Sequence, residues 1–374
     1  MRAICYGAVI GVPIVIQMGA SDGFRLPKEL AVRGAAIFLS GLLTIALIRG
    51  DLRLPTSSEI RRPVWLTCGA ILLWSVVCGL AAENRRVVPP ALAWIGIWLL
   101  LFAVAYYVAR IDRSNALLVV ATIPAIVNAV MLLLQASHVW NPFAAAAIAH
   151  DRTSYIALLG NPDDVGGVLV PAAVLTVVLA LTTRSWLASL GAVIVIGAVI
   201  ASQTITAIVA LFGSMLLLAM LATRRRFLVV SVLLLCGLAS LAYPPLRSRA
   251  SAIVQQGRGG DFNAMLSNRI TVFAAAAQMF AHHPVTGVGP GNFSWAYYDY
   301  KIVAETKSAA VGNLLVSTMN YGTAHNDHLQ ILAETGLPGY VLFLAALALV
   351  ARVSFQSPSG VVRRDVARLM GLPL

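Results

Sequence analysis

The chain has 374 residues, of which 59% are hydrophobic and only 11% are charged, and its mean hydropathy is +0.84. A soluble domain carries roughly 25% charged residues, so this composition excludes an ordinary soluble protein and indicates a polytopic membrane protein. We interpret the net charge of +12 as a topology signal and expect no nucleic-acid binding, because no soluble basic domain carries that charge.

Apolar segments predict an all-α bundle of about ten transmembrane helices, since a span needs about 20 mainly apolar residues. Arg33, near the start of the second segment, is placed to extend its side chain to the interface. The segment 185–223 is about twice the length of one span, so we expect it to fold back at a polar turn around Ser202, Gln203 and Thr204. The segments, in chain order, are 3–21, 30–48, 64–82, 87–109, 116–137, 165–183, 185–223, 227–246 and 335–351.

The distribution of Lys and Arg predicts the orientation. With the N-terminus in the cytoplasm, most basic residues fall in short cytoplasmic segments, as the positive-inside rule requires. The long segment 244–323 is then external. We interpret residues 1–374 as a single membrane domain that contains one large external loop, 244–323, with short helices of its own.

Two features stand out in this loop. The segment 268–281 favours a helix, with Ser267 or Asn268 as its cap and His282, His283 and Pro284 at its end. The glycine-rich stretch GVGPGNF at 287–293 permits tight turns. We do not interpret it as a dinucleotide-binding loop, because neither a preceding strand nor a following helix is evident.

The stretch AHNDHLQILAETGLPG at 324–339 concentrates ionisable groups in an apolar region. If 325–334 is a helix, His325 and His328 share one side, and Asp327, Gln330 and Glu334 form a polar stripe on nearly the opposite side. The helix should break before Gly336. The two histidines have no third ligand at a useful spacing, so we expect no metal site.

Upstream, Asp163 and Asp164 follow Pro162 and are typical of the first turn of a helix. The four cysteines lie in apolar segments without C-x-x-C spacing, so neither a disulfide framework nor a zinc site is indicated.

Four motifs together resemble the O-antigen ligase family of bacterial membrane proteins. They are GNPDDVGG at 160–167, SQTITA at 202–207, NRITVFAAAAQMFAHHPVTGVGPGNF at 268–293 and the stretch at 324–339. The resemblance implies a GT-C-like glycosyltransferase in the bacterial inner membrane, with its active site facing the periplasm. It implies an undecaprenyl-diphosphate-linked glycan as donor, and no metal or other cofactor. The acceptor is the lipid A core in ligases and the growing polysaccharide in polymerases.

Matched to the family motifs, the essential histidine falls on His325 and the loop arginine on Arg269. An imidazole suits removal of a proton from the acceptor hydroxyl, and a guanidinium suits the departing diphosphate. Arg33 is a second candidate for the diphosphate, with interfacial snorkelling as its alternative role. The residues expected to bind substrate are Arg33, Gln203, Thr204, Asn326, His328 and Glu334. For Gln203 and Thr204, a purely structural role in the turn remains an alternative. For Glu334, the alternative is a helix cap or a partner for a loop arginine.

Two departures from the family pattern bear on its subdivision. Ligases of the family have a pattern similar to T-x-S-R-G at the hairpin turn, and this chain has Ile205 in the position of that arginine. A polymerase therefore remains the alternative to a ligase. One span follows the histidine block where the family usually has one or two, so the chain is either a shortened member or a truncated product. A transporter of lipid-linked glycans is the alternative from another class; it predicts charged or broken helices at mid-membrane, whereas the apolar segments here contain few ionisable groups.

Overall fold

The computed structural model describes residues 2–18, 22–50, 63–111, 116–143, 152–221, 226–314 and 321–356. Within these residues every regular element is helical, which confirms the predicted all-α class. Besides a 3₁₀ turn at Arg152–Ser154, the helices are α1 (Arg2–Gly11), α2 (Arg25–Ile48), α3 (Pro63–Ala81), α4 (Val88–Ile111), α5 (Ala116–Ala136), α6 (Pro162–Thr183), α7 (Trp186–Ala201), α8 (Ile205–Leu221), α9 (Arg226–Ala242), α10 (Pro244–Arg258), α11 (Phe262–Met265), α12 (Ile270–His282), α13 (Phe293–Lys307), α14 (Ala309–Gly312) and α15 (Asp327–Gln356).

Long apolar helices confirm the membrane class. Among the described residues, six helices, α2 to α6 and α15, are long and apolar enough to cross a membrane. A seventh span results if α9 and α10, which meet at an angle of 81°, are counted as one broken span. Helices α7 and α8 are apolar but shorter. The number of about ten spans therefore stays a prediction.

Helix α1 differs from the predicted segment 3–21. It ends at Gly11, and Pro13 follows two residues later. Glycine is a weak helix former, and proline has no backbone N–H to continue the ladder. The expectation of one continuous helix over 3–21 was therefore wrong, because hydropathy alone does not register these two helix breakers.

The predicted turn in the segment 185–223 is confirmed. Residues 202–204 separate α7 from α8, and both helices pack against α6. Gln203 adopts φ of +55°, and the Ser202 hydroxyl donates to Val199 O and accepts from Thr204 N–H. All three turn residues are buried, so their polar groups are satisfied inside the protein.

The chain divides into two compact units. The first comprises described residues within 1–48 and 104–252, and its core lies among α5 to α8, where Leu132, Leu169, Val195 and Leu211 are fully buried. Gly166 on α6 lies against Ala207 on α8, a close approach that small residues allow between membrane helices. The interpretation of 1–374 as a single membrane domain stays a prediction.

The second unit comprises described residues within 49–103 and 253–357. Its core is formed by α12, α13 and the beginning of α15, with Val272, Met279, Phe293 and Tyr297 as the main buried side chains. Helix α15 also packs against α3. Helices α10 to α14 lie within 244–323, which confirms that this segment contains short helices.

Two details of this segment correct the sequence analysis. Neither Ser267 nor Asn268 caps α12, because both have positive φ and Arg269 occupies the N-cap position without a side-chain capping bond. The glycine-rich stretch 287–293 is followed by a helix, α13, that we did not expect. No strand precedes it within the described residues, so the exclusion of a dinucleotide-binding loop is unaffected.

Candidate active site

His325 lies just before α15 rather than within it. Its φ is +51°, so the expectation of a helix over 325–334 with His325 and His328 on one face was wrong. The preceding residue, Ala324, is fully buried and donates its N–H to Gln330 Oε1 at 3.1 Å. The imidazole is exposed and meets the ring of Tyr321 edge-on, with 5.7 Å between ring centroids. The backbone around His325 is thus fixed while its ring is accessible.

Asn326 caps α15. Its Oδ1 accepts from Leu329 N–H at 3.2 Å, and its carbonyl accepts from Gln330 N–H at 2.9 Å. This is the geometry of an N-cap asparagine, whose side chain satisfies an N–H that has no partner within the helix. The contacts of Asn326 therefore support a structural role, and its role in substrate binding stays a prediction.

Substitutions at Asn326 separate these two roles. Asn326→Ala is expected to destabilise the protein by about 1 kcal/mol through loss of the cap, whereas Asn326→Ser should retain most of the stability. Thermal unfolding of the purified protein in detergent measures both effects. If Asn326→Ser is as stable as the wild type but does not transfer glycan, Asn326 also contacts the substrate.

His328 contacts residues of the second part of α15. Its Nδ1 lies 3.1 Å from the Tyr340 hydroxyl, and its ring packs edge-on against Tyr340 and Phe343. These contacts bridge the two parts of α15 on either side of Gly336. His328 therefore stabilises the broken helix, and its role in substrate binding stays a prediction.

Glu334 connects α15 to the glycine-rich stretch. Its Oε2 accepts from Gly291 N–H at 3.0 Å, and its Oε1 accepts from Gln330 Nε2 at 3.1 Å. Because Gln330 Oε1 accepts from Ala324 N–H, a continuous series of hydrogen bonds runs from Gly291 to the residue before His325. These bonds favour the structural alternative for Glu334, although its partners in them are a backbone N–H and the Gln330 amide rather than an arginine. Its role in substrate binding stays a prediction.

The predicted break in α15 is confirmed at Gly336, which has φ of +66° and ψ of −170°. Carbonyls near the break accept hydrogen bonds from the preceding loop: Ala333 O from Val288 N–H and Glu334 O from Gly289 N–H. A Cβ on Gly336 would lie 2.1 Å from Val285 O. Glycine is required at this position for its φ and for the close approach of the loop.

The polar stripe on α15 faces a cavity. Asp327, Gln330 and Glu334 line one side of a space of about 420 Å³, which confirms that they share a face. Its apolar walls come from α3, α4 and the second part of α15, and they include Ile71, Trp74, Ile95, Leu342 and Phe343. An apolar cavity with a few polar groups suits an amphipathic ligand.

Replacement of the Glu334 carboxylate tests this arrangement. Glu334→Gln exchanges one acceptor oxygen for an NH₂ group, so Gly291 N–H or Gln330 Nε2 faces another donor. We expect a loss of about 1 to 3 kcal/mol in the free energy of unfolding and a reduced transfer rate, since the fixed position of Ala324 depends on Gln330. Chemical unfolding and glycan transfer should be measured together; unchanged stability in Glu334→Gln would contradict the proposed bonds.

Arg269 lies immediately before α12 and is half-buried. A helix N-terminus carries a partial positive charge, so the guanidinium and the helix end both attract an anion. Arg269 and His325 belong to the same unit, and α12 packs against α15. This arrangement suits Arg269 to bind phosphate oxygens, which stays a prediction.

Tyr321, whose ring meets that of His325, also packs against a second tyrosine, Tyr297. Tyr297 is fully buried, and its ring lies 5.6 Å from that of Tyr321. Burial, together with a smaller contribution from the neighbouring Tyr321, raises the pKa of Tyr297 to about 12. The phenol thus stays neutral at physiological pH and is unsuited to act as a general base.

The remaining predicted residues belong to the first unit. Arg33 is exposed on α2, whereas Gln203 and Thr204 are buried in the turn between α7 and α8. The Thr204 hydroxyl lies 3.1 Å from Arg152 Nη2, 3.2 Å from Pro162 O and 3.3 Å from Asp163 Oδ1. The structure therefore places Thr204 in a polar cluster, while the substrate contacts of all three residues stay predictions.

Arg152 was missed by the sequence analysis. It forms an ion pair with Asp163, which belongs to the first turn of α6 as predicted, and it donates from Nε to Ser202 O at 3.3 Å. A single arginine in a segment between apolar stretches resembles any other solvated charge in sequence. Only the fold shows that it reaches the turn.

Part of the chain matches a known protein family. No curated protein matches the chain. A model of the O-antigen ligase family matches residues 190–344, a range that contains Gln203, Thr204, Arg269, His325 and Glu334. This match confirms the resemblance found in the sequence motifs. Residues 190–344 are therefore similar to the O-antigen ligase family, which supports a role in glycosyl transfer during O-antigen assembly, and they belong to a chain with several helices long and apolar enough to cross a membrane.

Proposed function

We propose that the protein is an O-antigen ligase of the bacterial inner membrane, with its active site facing the periplasm. It moves a glycan from undecaprenyl diphosphate to a hydroxyl of the lipid A core, without a metal ion. The observation that supports this most directly is the match of residues 190–344 to the O-antigen ligase family, a range within which His325 presents an accessible imidazole on a fixed backbone.

In the proposed reaction, His325 removes the proton from the acceptor hydroxyl as its oxygen attacks the anomeric carbon of the glycan. The bond between that carbon and the phosphate oxygen breaks, and the electron pair leaves with undecaprenyl diphosphate. Arg269 stabilises the negative charge that develops on the diphosphate. A non-glycine residue with positive φ is uncommon and is concentrated at functional sites, and the φ of +51° at His325 is consistent with this role.

A polymerase that extends the glycan on the same carrier is the second candidate. The observation that favours it is Ile205, the first residue of α8 at the hairpin turn. The ligase pattern has an arginine at this position. A transporter of the lipid-linked glycan is the alternative from another class, and the match to the O-antigen ligase family supports transfer over transport.

Deletion of the gene in its host, followed by complementation with the wild type, tests the proposal. Surface glycans and carrier-linked glycans are compared on gels. Loss of the long-chain ladder together with polymer accumulating on the carrier supports a ligase. A core that carries a single repeat indicates a polymerase, and lipid-linked repeats confined to the cytoplasmic leaflet indicate a transporter. Unchanged glycans after deletion contradict all three.

A further inference from the structure

We propose that a recess beside α13 binds an uncharged sugar residue of a glycan substrate, through Glu83, Trp295, Asp299 and Tyr300. This inference rests on the proposed function, in which the glycan supplies the sugar. The four residues belong to the second unit and line the same recess. None of them was expected from the sequence to bind substrate.

The recess lies at a membrane surface. Glu83 belongs to the short connection 82–87 between α3 and α4, and both helices are long and apolar enough to cross a membrane. A residue in such a connection lies where the bilayer meets water. The first sugars of a lipid-linked glycan lie at the same level, because the lipid holds them next to the headgroups.

Close packing joins the two walls of the recess. A Cβ on Gly289 would lie 2.4 Å from the Cβ of Ala82, the residue before Glu83. The glycine-rich stretch 287–293, which leads directly into α13, therefore packs against the connection that carries Glu83. Since these backbones are held together before a ligand arrives, binding requires little ordering of the protein.

The polar groups of the recess suit hydroxyl groups. The Tyr300 hydroxyl lies 2.8 Å from His283 Nε2. Burial, with smaller contributions from the carboxylates of Glu83 and Asp299, raises the pKa of Tyr300, so the phenol stays protonated. Within the described part of the chain, neither carboxylate forms a salt bridge. Both can therefore accept from ligand hydroxyls, in charge-assisted bonds that are stronger than neutral ones.

The size of the recess determines how a sugar enters it. Its volume is about 30 Å³, and a cavity needs about 10 to 15 Å³ to hold a single water. It therefore admits a hydroxymethyl group or one or two hydroxyl groups, but not a whole ring. The ring then lies over the mouth, against Trp295, which lines the recess and is 47% exposed. The C–H groups of a pyranose can pack on the negative face of this indole.

The charges of the recess select an uncharged part of the substrate. Two carboxylates repel a diphosphate, so the expected role of Arg269 in binding that group is unaffected. Exposed tryptophans also anchor membrane proteins to lipid. Carboxylates are costly in the hydrocarbon region, however, so we infer that a recess lined by Glu83 and Asp299 opens to water.

The test uses the full chain in nanodiscs, prepared without sugar-based detergent. Methyl glucoside, methyl galactoside and methyl N-acetylglucosaminide are the probes, and saturation-transfer NMR measures their affinities. The wild type should bind at least one of them. Trp295→Ala and Asp299→Asn should each weaken this binding by at least about tenfold, the equivalent of one charge-assisted hydrogen bond. Trp295→Phe retains an aromatic face and should have an intermediate affinity.

Trp186→Ala is the matched control, because Trp186 is 72% exposed but lies on α7 in the first unit. It should bind the glycosides as the wild type does. Trp295 and Asp299 are both exposed, so their replacement should leave the unfolding midpoint nearly unchanged. Absence of glycoside binding to the wild type, or equal affinity of the wild type, Trp295→Ala and Asp299→Asn, overturns the proposal.

Two other occupants of the recess give distinct results. If ethylammonium binds the wild type but not Asp299→Asn, and no glycoside binds, the recess is a cation site and the proposal is wrong. If Trp295→Ala binds glycosides normally but is less stable in nanodiscs than Trp186→Ala, Trp295 is a lipid anchor and the proposal is also wrong.

Transfer kinetics show which substrate uses the site. Trp295→Ala should raise the KM for either the donor or the acceptor glycan with little change in kcat, because the indole contacts sugar away from the reacting atoms. A purely structural role of Trp295 would instead lower the amount of active enzyme and leave both KM values unchanged.

The same variants separate this inference from the proposed function. Normal glycoside binding in Trp295→Ala and Asp299→Asn, in a host whose glycan ladder depends on the gene, removes the sugar site and leaves the proposed function intact. Glycoside binding that depends on Trp295, in a host whose glycans do not depend on the gene, supports the site and removes the proposed function.

Discussion

His325→Ala is expected to lower the rate of glycan transfer by about 10²- to 10⁴-fold, the typical contribution of a general base. The imidazole is exposed, so its removal should not disturb the core. Complementation of the deletion strain with this variant should therefore leave the glycan pattern of the deletion, with normal amounts of protein in the membrane. His282→Ala is the matched control, because His282 is also exposed but contacts Lys307 Nζ at 3.3 Å on the surface of α12 and α13.

His325→Gly distinguishes chemistry from folding at the same position. Glycine accepts a φ of +51° without the strain that histidine bears, so this variant should be at least as stable as the wild type in thermal unfolding. It should nevertheless be inactive, because no imidazole remains. If either His325→Ala or His325→Gly restores the full glycan ladder, His325 is not the base.

Gly336→Ala is expected to destabilise the second unit by more than about 4 kcal/mol, a loss reserved for severe backbone strain or steric conflict. Both causes apply here. The backbone has φ of +66° with an extended ψ, a region that is essentially restricted to glycine, and the added Cβ would lie 2.1 Å from Val285 O. Protein levels in the membrane and unfolding in denaturant both report the loss.

Gly96→Ala is the control for this prediction. Gly96 lies on α4 in the same unit, and a Cβ at this position would meet no atom within 4 Å. Replacement of a glycine inside a helix by alanine is expected to stabilise by about 0.5 to 1 kcal/mol. Equal stability of the Gly336→Ala and Gly96→Ala proteins would show that the loop before α13 does not dock at the break in α15.

The features that were predictable from sequence depend on local signals. The turn at Ser202 to Thr204 followed from the length of an apolar segment and a polar cluster within it. The break at Gly336 and the helix start at Asp163 followed from residue types with strong conformational preferences. The shared face of Asp327, Gln330 and Glu334 followed from helical periodicity, which is preserved wherever the helix itself is continuous.

The features that were missed depend on tertiary contacts or on single residues at helix ends. The helix was expected to include His325, but Asn326 provides a cap one residue later and excludes it. Positions of helix ends are decided by such individual bonds, which hydropathy does not report. The pairing of Arg152 with the turn at Ser202 joins residues 50 positions apart, so no local pattern could indicate it.

The hydrogen bond from Trp74 Nε1 to Thr335 O, at 2.9 Å, joins α3 to α15 across 261 positions of the chain. At a synthesis rate of about 5 to 20 residues per second, roughly 10 to 50 s separate the appearance of these two residues at the ribosome. Throughout this interval the face of α3 that receives α15 has no partner from its own chain. The second unit therefore completes its packing near the end of synthesis, and α3 must remain in the bilayer with that face covered by lipid or by another protein until α15 arrives.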